Sequence, residues 1–198
     1  MTIPPRALVL SGSTRVDSYN TRLARLAEAA IRARGVETTY INLRDFPMPL
    51  FDEDLERDHG MSLPAQNLKD LFVGHDGFFI ASPEYNSSIT AVLKNAIDWM
   101  SRRPAQEPPL IAFSGKVAAI SSASPGALGG LRGLVHLRAI LGNLNVVLVP
   151  EQVAVVKAHE AFDDGGNLKD GGARAMFELV IERFAHLLER YTRPEQKR

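Results

Sequence analysis

The chain has 198 residues, enough for one substantial core, and its 45% hydrophobic and 23% charged content is that of an ordinary globular protein. Its 23 basic and 23 acidic side chains balance, so nothing recommends nucleic acid or an anionic membrane surface as a partner. There is no cysteine, which excludes disulfides, thiolate metal sites and cysteine nucleophiles; with no apolar leader segment and no run long enough to span a bilayer, a single cytoplasmic domain over residues 1–198 is expected.

Ala7-Leu8-Val9-Leu10 is a short apolar run of the kind that forms a buried strand. After it comes Ser-Gly-Ser-Thr-Arg-Val-Asp-Ser-Tyr-Asn, residues 11–20, and then Leu23, Leu26, Ala27, Ala30 and Ile31 at helical spacing. Val36 to Leu43 read as a second strand, and residues 44–61 as a long connection rich in proline and acidic side chains. Ser62 caps a helix whose buried stripe is Leu68, Leu71 and Phe72. Phe78 to Ala81 form the third strand, and its turn, residues 82–88, leads into a helix carrying Ile89, Val92, Leu93, Ala96, Ile97 and Met100. Proline-rich residues 104–109 punctuate the chain before a fourth strand, Lys116 to Ile120. Its turn, residues 121–130, opens a helix through Leu134, Leu137, Ile140 and Leu141. Asn145 to Val149 form a fifth strand that stops at Pro150, and a Gly-rich loop at 163–172 precedes a last helix with Met176, Phe177, Val180, Ile181 and Phe184 on one face.

Five apolar strands alternating with five helices predict an α/β fold, a doubly wound five-stranded parallel sheet with helices on both faces and strand order 2-1-3-4-5. In such sheets a ligand sits beyond the carboxyl ends of the strands, where the turns after strands one, three and four converge. The first turn packs the hydroxyls of Ser11, Ser13, Thr14 and Ser18 together with Arg15, Asn20 and the permissive Gly12 at a helix N-terminus. That composition suits a phosphomonoester, because helix amides and short donors favour an anion. It also suits ordinary helix capping with no ligand. Neither G-x-G-x-x-G nor G-x-x-x-x-G-K-[ST] is present, so the dinucleotide fingerprint and the triphosphate loop are absent. The turn after strand three offers Tyr85 as a flat wall beside Pro83, Glu84 and Asn86, and the glycines of the third turn remove Cβ atoms from a second edge. Together they describe a pocket with an anionic end and an aromatic end.

Ser-Gly-Ser-Thr-Arg with Ser18 and Asn20, Ser-Pro-Glu-Tyr-Asn-Ser-Ser, Leu93-Lys94-Asn95-Ala96-Ile97-Asp98-Trp99, and the glycine pair near 129 ahead of Leu137-Arg138 closely resemble the NADPH-dependent FMN reductase family, over roughly residues 7–150. The resemblance implies a flavodoxin-like fold and bound FMN, with Ser11, Ser13, Arg15, Ser18 and Asn20 on its phosphate. It places Pro83, Glu84, Tyr85, Asn86 and Ser87 along the isoalloxazine, and Ser121, Ser122, Gly126, Gly129 and Gly130 on the ring's other edge. Pro125 and Leu128 stand in the third turn where the family pattern is not confirmed, so that transfer is the least direct. The resemblance further implies that NADPH or NADH reduces the flavin and that a small acceptor, a quinone, azo compound, chromate or free flavin, reoxidises it. No metal is called for. Homodimers or homotetramers are implied too, with the helix of Lys94, Asp98 and Trp99 as a candidate for assembly, and Arg102 and Arg103 as candidates to meet a phosphate of the donor.

The rival from another class is a flavodoxin-type electron carrier with no NAD(P)H oxidation of its own. Such carriers present an acidic docking face, and the neutral charge here argues against one. A hydrolase reading lacks a G-x-S-x-G elbow. Glu182 and His186, four residues apart on the last helix, read as a solvated surface pair rather than a metal site.

Overall fold

Strand β1 (Arg6–Ser11) alternates its side chains between two apolar layers, Ala7 and Val9 to one and Leu8 and Leu10 to the other, which is why it reads as a continuous apolar run. In the computed structural model, which describes residues 4–103 and 106–192, it is central to a parallel sheet. Its neighbours are β2 (Glu37–Asn42) and β3 (Gly77–Ala81), followed outward by β4 (Val117–Ala123) and β5 (Val147–Leu148). The order β2-β1-β3-β4-β5 is the one expected.

One face is covered by α1 (Tyr19–Arg32) and α6 (Gly171–Thr192), whose Leu23, Ala27, Phe177 and Phe184 pack on Val9, Phe79 and Ala119. On the other face lie α3 (Leu63–Gly74), α4 (Ala91–Met100) and α5 (Leu131–Asn143), around Phe72, Phe78, Trp99 and Leu137. Gly77 has to be glycine, since a Cβ there would overlap the Val117 carbonyl oxygen and stand 2.6 Å from Leu188 Cδ2.

Three features depart from the expectation. The fifth strand is only two residues long, and Val153–Val155 form a further strand, β6, that pairs with Ser121–Ala123 of β4. The sheet's outer position is thus shared by two short strands on either side of Pro150, which has no N–H for a ladder. The 44–61 connection contains a helix, α2 (Glu53–His59), capped by Asp52 Oδ1 on the N–H groups of Asp54 and Leu55. Trp99, fully buried, donates its indole N–H to Pro49 O at 2.9 Å, and Asn95 holds Pro49 O and Phe51 N, so this part of α4 anchors that connection. Of the residues considered for assembly only Lys94 and Asp98 remain at the surface, paired at 2.7 Å. Residues 104 and 105 of the proline-rich stretch lie outside the described residues.

Candidate functional site

Beyond the carboxyl ends of β1, β3 and β4 the three turns meet around a cleft of about 300 Å³. Ser13, Arg15, Ser18 and Tyr19 line it from the first turn, Pro83, Glu84 and Tyr85 from the second, and Ser124 and Pro125 from the third. A larger hollow of about 420 Å³ lies at the other end of the sheet against Arg6, Arg32 and Val36, where no set of turns converges.

The first two turns can meet because residue 12 is glycine. A Cβ there would sit 2.9 Å from Leu93 Cδ2 and 3.1 Å from Pro83 Cδ. Gly12 N–H donates to Ala81 O at 2.8 Å, and its carbonyl accepts from Thr90 Oγ1 at 2.5 Å, which locks the turn to β3 and α4. Ser18 is at the N-cap of α1 and 3% exposed, yet its hydroxyl makes no capping hydrogen bond. Arg15 is exposed, donating to Asp17 O at 2.7 Å with its guanidinium 5.5 Å from the Tyr19 ring centre. Ser13 Oγ accepts from Arg15 N, and the Thr14 carbonyl accepts from the Arg44 guanidinium.

Asn20 does something else. Its side-chain N–H donates to Ala123 O at 2.8 Å and its oxygen accepts from Ala123 N at 2.9 Å, so both functions of the amide are spent on β4. The β3–β4 ladder runs as far as the bond from Ser82 N to Ser121 O, beyond which Pro83 has no N–H to offer. The Asn20 amide takes over the next donor and acceptor of β4 and ties the first turn to the third.

The second turn is a two-residue hairpin in which Tyr85 and Ser88 exchange backbone bonds of 2.9 and 3.0 Å. Asn86 and Ser87 both have positive φ, 51° and 67°, as such a turn requires. Tyr85 is left 58% exposed. Glu84 points the other way: its carboxylate receives Arg132 at 2.8 and 3.0 Å and the Gly133 N–H at 3.0 Å, in the first turn of α5. Burial alone would raise its pKa, but the Gly133 N–H and the Arg132 guanidinium outweigh it and hold the carboxyl below the usual glutamate range. Glu84 is therefore a brace between β3 and α5 that also borders the cleft.

In the third turn the glycines are occupied by the chain itself. A Cβ on Gly129 would approach the Ala154 carbonyl at 2.7 Å, and one on Gly130 would overlap the Ser122 hydroxyl; both residues have positive φ. The space expected to admit a ring edge at these two positions is filled by β6 and Ser122. Gly126 is open, with only Ser124 Oγ near at 3.6 Å from a Cβ. Besides Gly126, Gly129 and Gly130, Ser11, Thr14, Asn86, Ser87, Ser121 and Ser122 do not line the cleft. Tyr19, Ser124 and Pro125 do, although sequence reasoning did not select them. Their signal was adjacency: Tyr19 lies between two selected residues, and Ser124-Pro125 falls within the third turn.

The donor set fits a phosphate at the first turn. The hydroxyl of Ser11, the last residue of β1, is buried without a hydrogen-bond partner, and leaving such a group unpaired costs about 1–3 kcal/mol. With the uncapped Ser18 and the Arg15 guanidinium beside it, the turn holds donors that the protein's own acceptors leave unused. Among the described residues no group of three His, Cys, Asp or Glu is placed to share a metal ion, and Glu182 and His186 are both exposed on α6. Arg102 is bound to Glu56 of α2 at 2.8 Å, and Arg103 donates to Glu107 O within its own loop. No helix among the described residues is long and apolar enough to cross a membrane.

Residues 5–160 match the family model of NADPH-dependent FMN reductases. An NAD(P)H-dependent FMN reductase of Pseudomonas aeruginosa is 39% identical over 182 residues, covering 89% of this chain and 91% of the relative. A quinone reductase of Escherichia coli is 32% identical over 93% of this chain and 96% of its own length. Among solved structures, a flavoenzyme NAD(P)H:(acceptor) oxidoreductase of Paracoccus denitrificans superposes with a TM-score of 0.78 at 27% identity, covering 94% of this chain and 98% of that one.

Proposed function

The chain belongs to the NADPH-dependent FMN reductase family, and from that premise we propose that it is an FMN-dependent NAD(P)H oxidoreductase with a small-molecule acceptor of the quinone class, built as one flavodoxin-like domain. The observation that carries this reading is the cleft itself, with unspent hydroxyls and a guanidinium at one end and an exposed tyrosine face at the other. FMN, when bound, supplies the redox chemistry, taking electrons from NAD(P)H and returning them to the acceptor.

The protein's part is binding and orientation. Arg15, Ser18 and Ser13 would hold the phosphate end, where the positive end of the α1 dipole adds to their donors. Asn20 keeps the first and third turns at a fixed separation, and Glu84 keeps the Tyr85 hairpin seated on α5. Tyr85, exposed at the other end of the cleft, would border the ring. Exposed Leu131 and Val135, on one face of α5, support a homodimer or homotetramer.

The test is to load the purified protein with FMN, add NADPH anaerobically and follow the visible flavin band. Rapid bleaching, reversed by a quinone, is the expected result. A band that persists with both NADPH and NADH refutes the enzyme and favours a carrier.

A further inference from the structure

Thr90 does not line the cleft, yet it holds the turn that forms the cleft's anionic end. It is 2% exposed and immediately precedes α4, on the face of the sheet opposite α1. Both functions of its hydroxyl are used: the oxygen accepts from Leu93 N at 3.3 Å, capping α4, and the O–H donates to Gly12 O at 2.5 Å, across 78 residues of sequence. The same helix brings Leu93 Cδ2 and Cβ to 2.9 and 3.3 Å from where a Cβ on Gly12 would stand. Residue 12 is thus fixed by α4 through a hydrogen bond and through packing.

The constraint passes to the next residue. The peptide joining Gly12 to Ser13 is trans, so its carbonyl and its N–H point in opposite directions across one plane. With Gly12 O turned to Thr90 on the α4 side, the Ser13 N–H is turned to the α1 side. Among the described residues no acceptor takes that N–H, although Ser13 is 6% exposed and lines the cleft. Buried backbone N–H groups are almost always paired, so an unspent one at the cleft wall calls for an acceptor from outside the chain. Gly12 has no Cβ and offers little resistance to turning of the peptide plane. Without the Thr90 hydroxyl, the plane is free to present a carbonyl oxygen where the N–H now points, and a carbonyl repels an anion.

We propose that Thr90 is a positioning residue for the phosphate end of the cleft: by holding Gly12 O it aims the Ser13 N–H at the phosphate, a backbone donor additional to the Arg15, Ser13 and Ser18 side chains. That the phosphate belongs to FMN rests on the flavoenzyme reading above; the direction of the Ser13 N–H does not.

Two measurements on the full-length protein test this. Thr90→Val keeps the shape of the side chain and removes the hydroxyl, and Thr90→Ser restores it. Fluorescence-quenching titrations with FMN and with riboflavin, which lacks the phosphate, are compared for all three proteins. Thr90→Val weakens FMN binding by about tenfold or more, the loss of one charge-assisted hydrogen bond, while riboflavin affinity is unchanged and Thr90→Ser recovers the FMN affinity. A residue that served only the stability of α4 would lower both affinities together. The second measurement follows the Ser13 amide resonance of the isotope-labelled natural protein, which shifts on addition of FMN and, in a flavin-free sample, on addition of inorganic phosphate. It needs no variant, so it decides even where loss of the α4 cap leaves Thr90→Val unfolded. Equal losses for FMN and riboflavin, an unchanged FMN affinity, or a Ser13 amide that neither FMN nor phosphate moves overturns the proposal. A natural protein that takes up neither flavin overturns the flavoenzyme reading alone, and the response of the Ser13 amide to inorganic phosphate then decides the role of Thr90.

Discussion

Replacing Asn20 by alanine removes a side chain that holds the first turn to the third. The substitution removes two hydrogen bonds, of 2.8 and 2.9 Å, and leaves the N–H and carbonyl of Ala123 without partners beside a side chain that is 3% exposed. Two net hydrogen bonds at about 1 kcal/mol each, with part of the desolvation penalty of two stranded backbone groups, give a loss of about 2–4 kcal/mol. Urea denaturation of the FMN-free protein measures it as a lower midpoint at an unchanged slope. The same variant weakens FMN binding, because Arg15 and Ser18 on one side and Ser124 and Pro125 on the other are no longer held at a fixed spacing. Asn20→Asp is the sharper probe: a carboxylate still accepts from Ala123 N but turns a second acceptor towards Ala123 O. Protonation of that carboxylate restores a donor to Ala123 O, so the variant is expected to lose less stability at acid than at neutral pH. A loss below about 1 kcal/mol for Asn20→Ala, with FMN affinity unchanged, refutes the clamp.

Arg15→Gln weakens FMN binding by about tenfold or more in a fluorescence-quenching titration while moving the urea midpoint little, since its exposed guanidinium bonds Asp17 O of its own turn and lies near the Tyr19 ring. Gly130→Ala destabilises by about 1–2 kcal/mol or more, because φ there is 94° and the new methyl meets Ser122; Ser122→Ala alone is neutral or stabilising in the same denaturation assay, as its hydroxyl has no partner. Glu84 has a depressed pKa in the folded protein, so its contribution is present above the ordinary glutamate value of about 4.3 and is lost as pH falls through the folded value. Denaturation curves from neutral to acid pH therefore fall less steeply for Glu84→Gln than for the natural protein.

The central sheet was legible because β1, β3 and β4 are buried on both faces and so appear as unbroken apolar runs. Strand β6 was not, since Val153–Val155 is too short to show a period and Pro150 reads as a stop. Helix α2 buries none of its residues, so it has no apolar stripe; its signals are Asp52 at the cap and Gly60 at the end. At the site, composition located the turns but not the partners. Asn20 looks like a phosphate donor in its local context because the group it serves is 103 residues away. Gly129 and Gly130 announce a close approach, and only the fold says that the approaching groups are Ala154 and Ser122.

The splitting of the outer strand has a consequence for biosynthesis. The stretch of β4 that leads into the third turn, Ser121–Ala123, is flanked by Val153–Val155 and not by Val147–Leu148. On the ribosome, a nascent chain that has emerged only as far as residue 150 has every strand of the order β2-β1-β3-β4-β5, yet the upper margin of β4 is still bare. Such a chain also lacks α6, which covers one face of the sheet, so both the packing of that face and the flank of the third turn are completed only by the last quarter of the sequence.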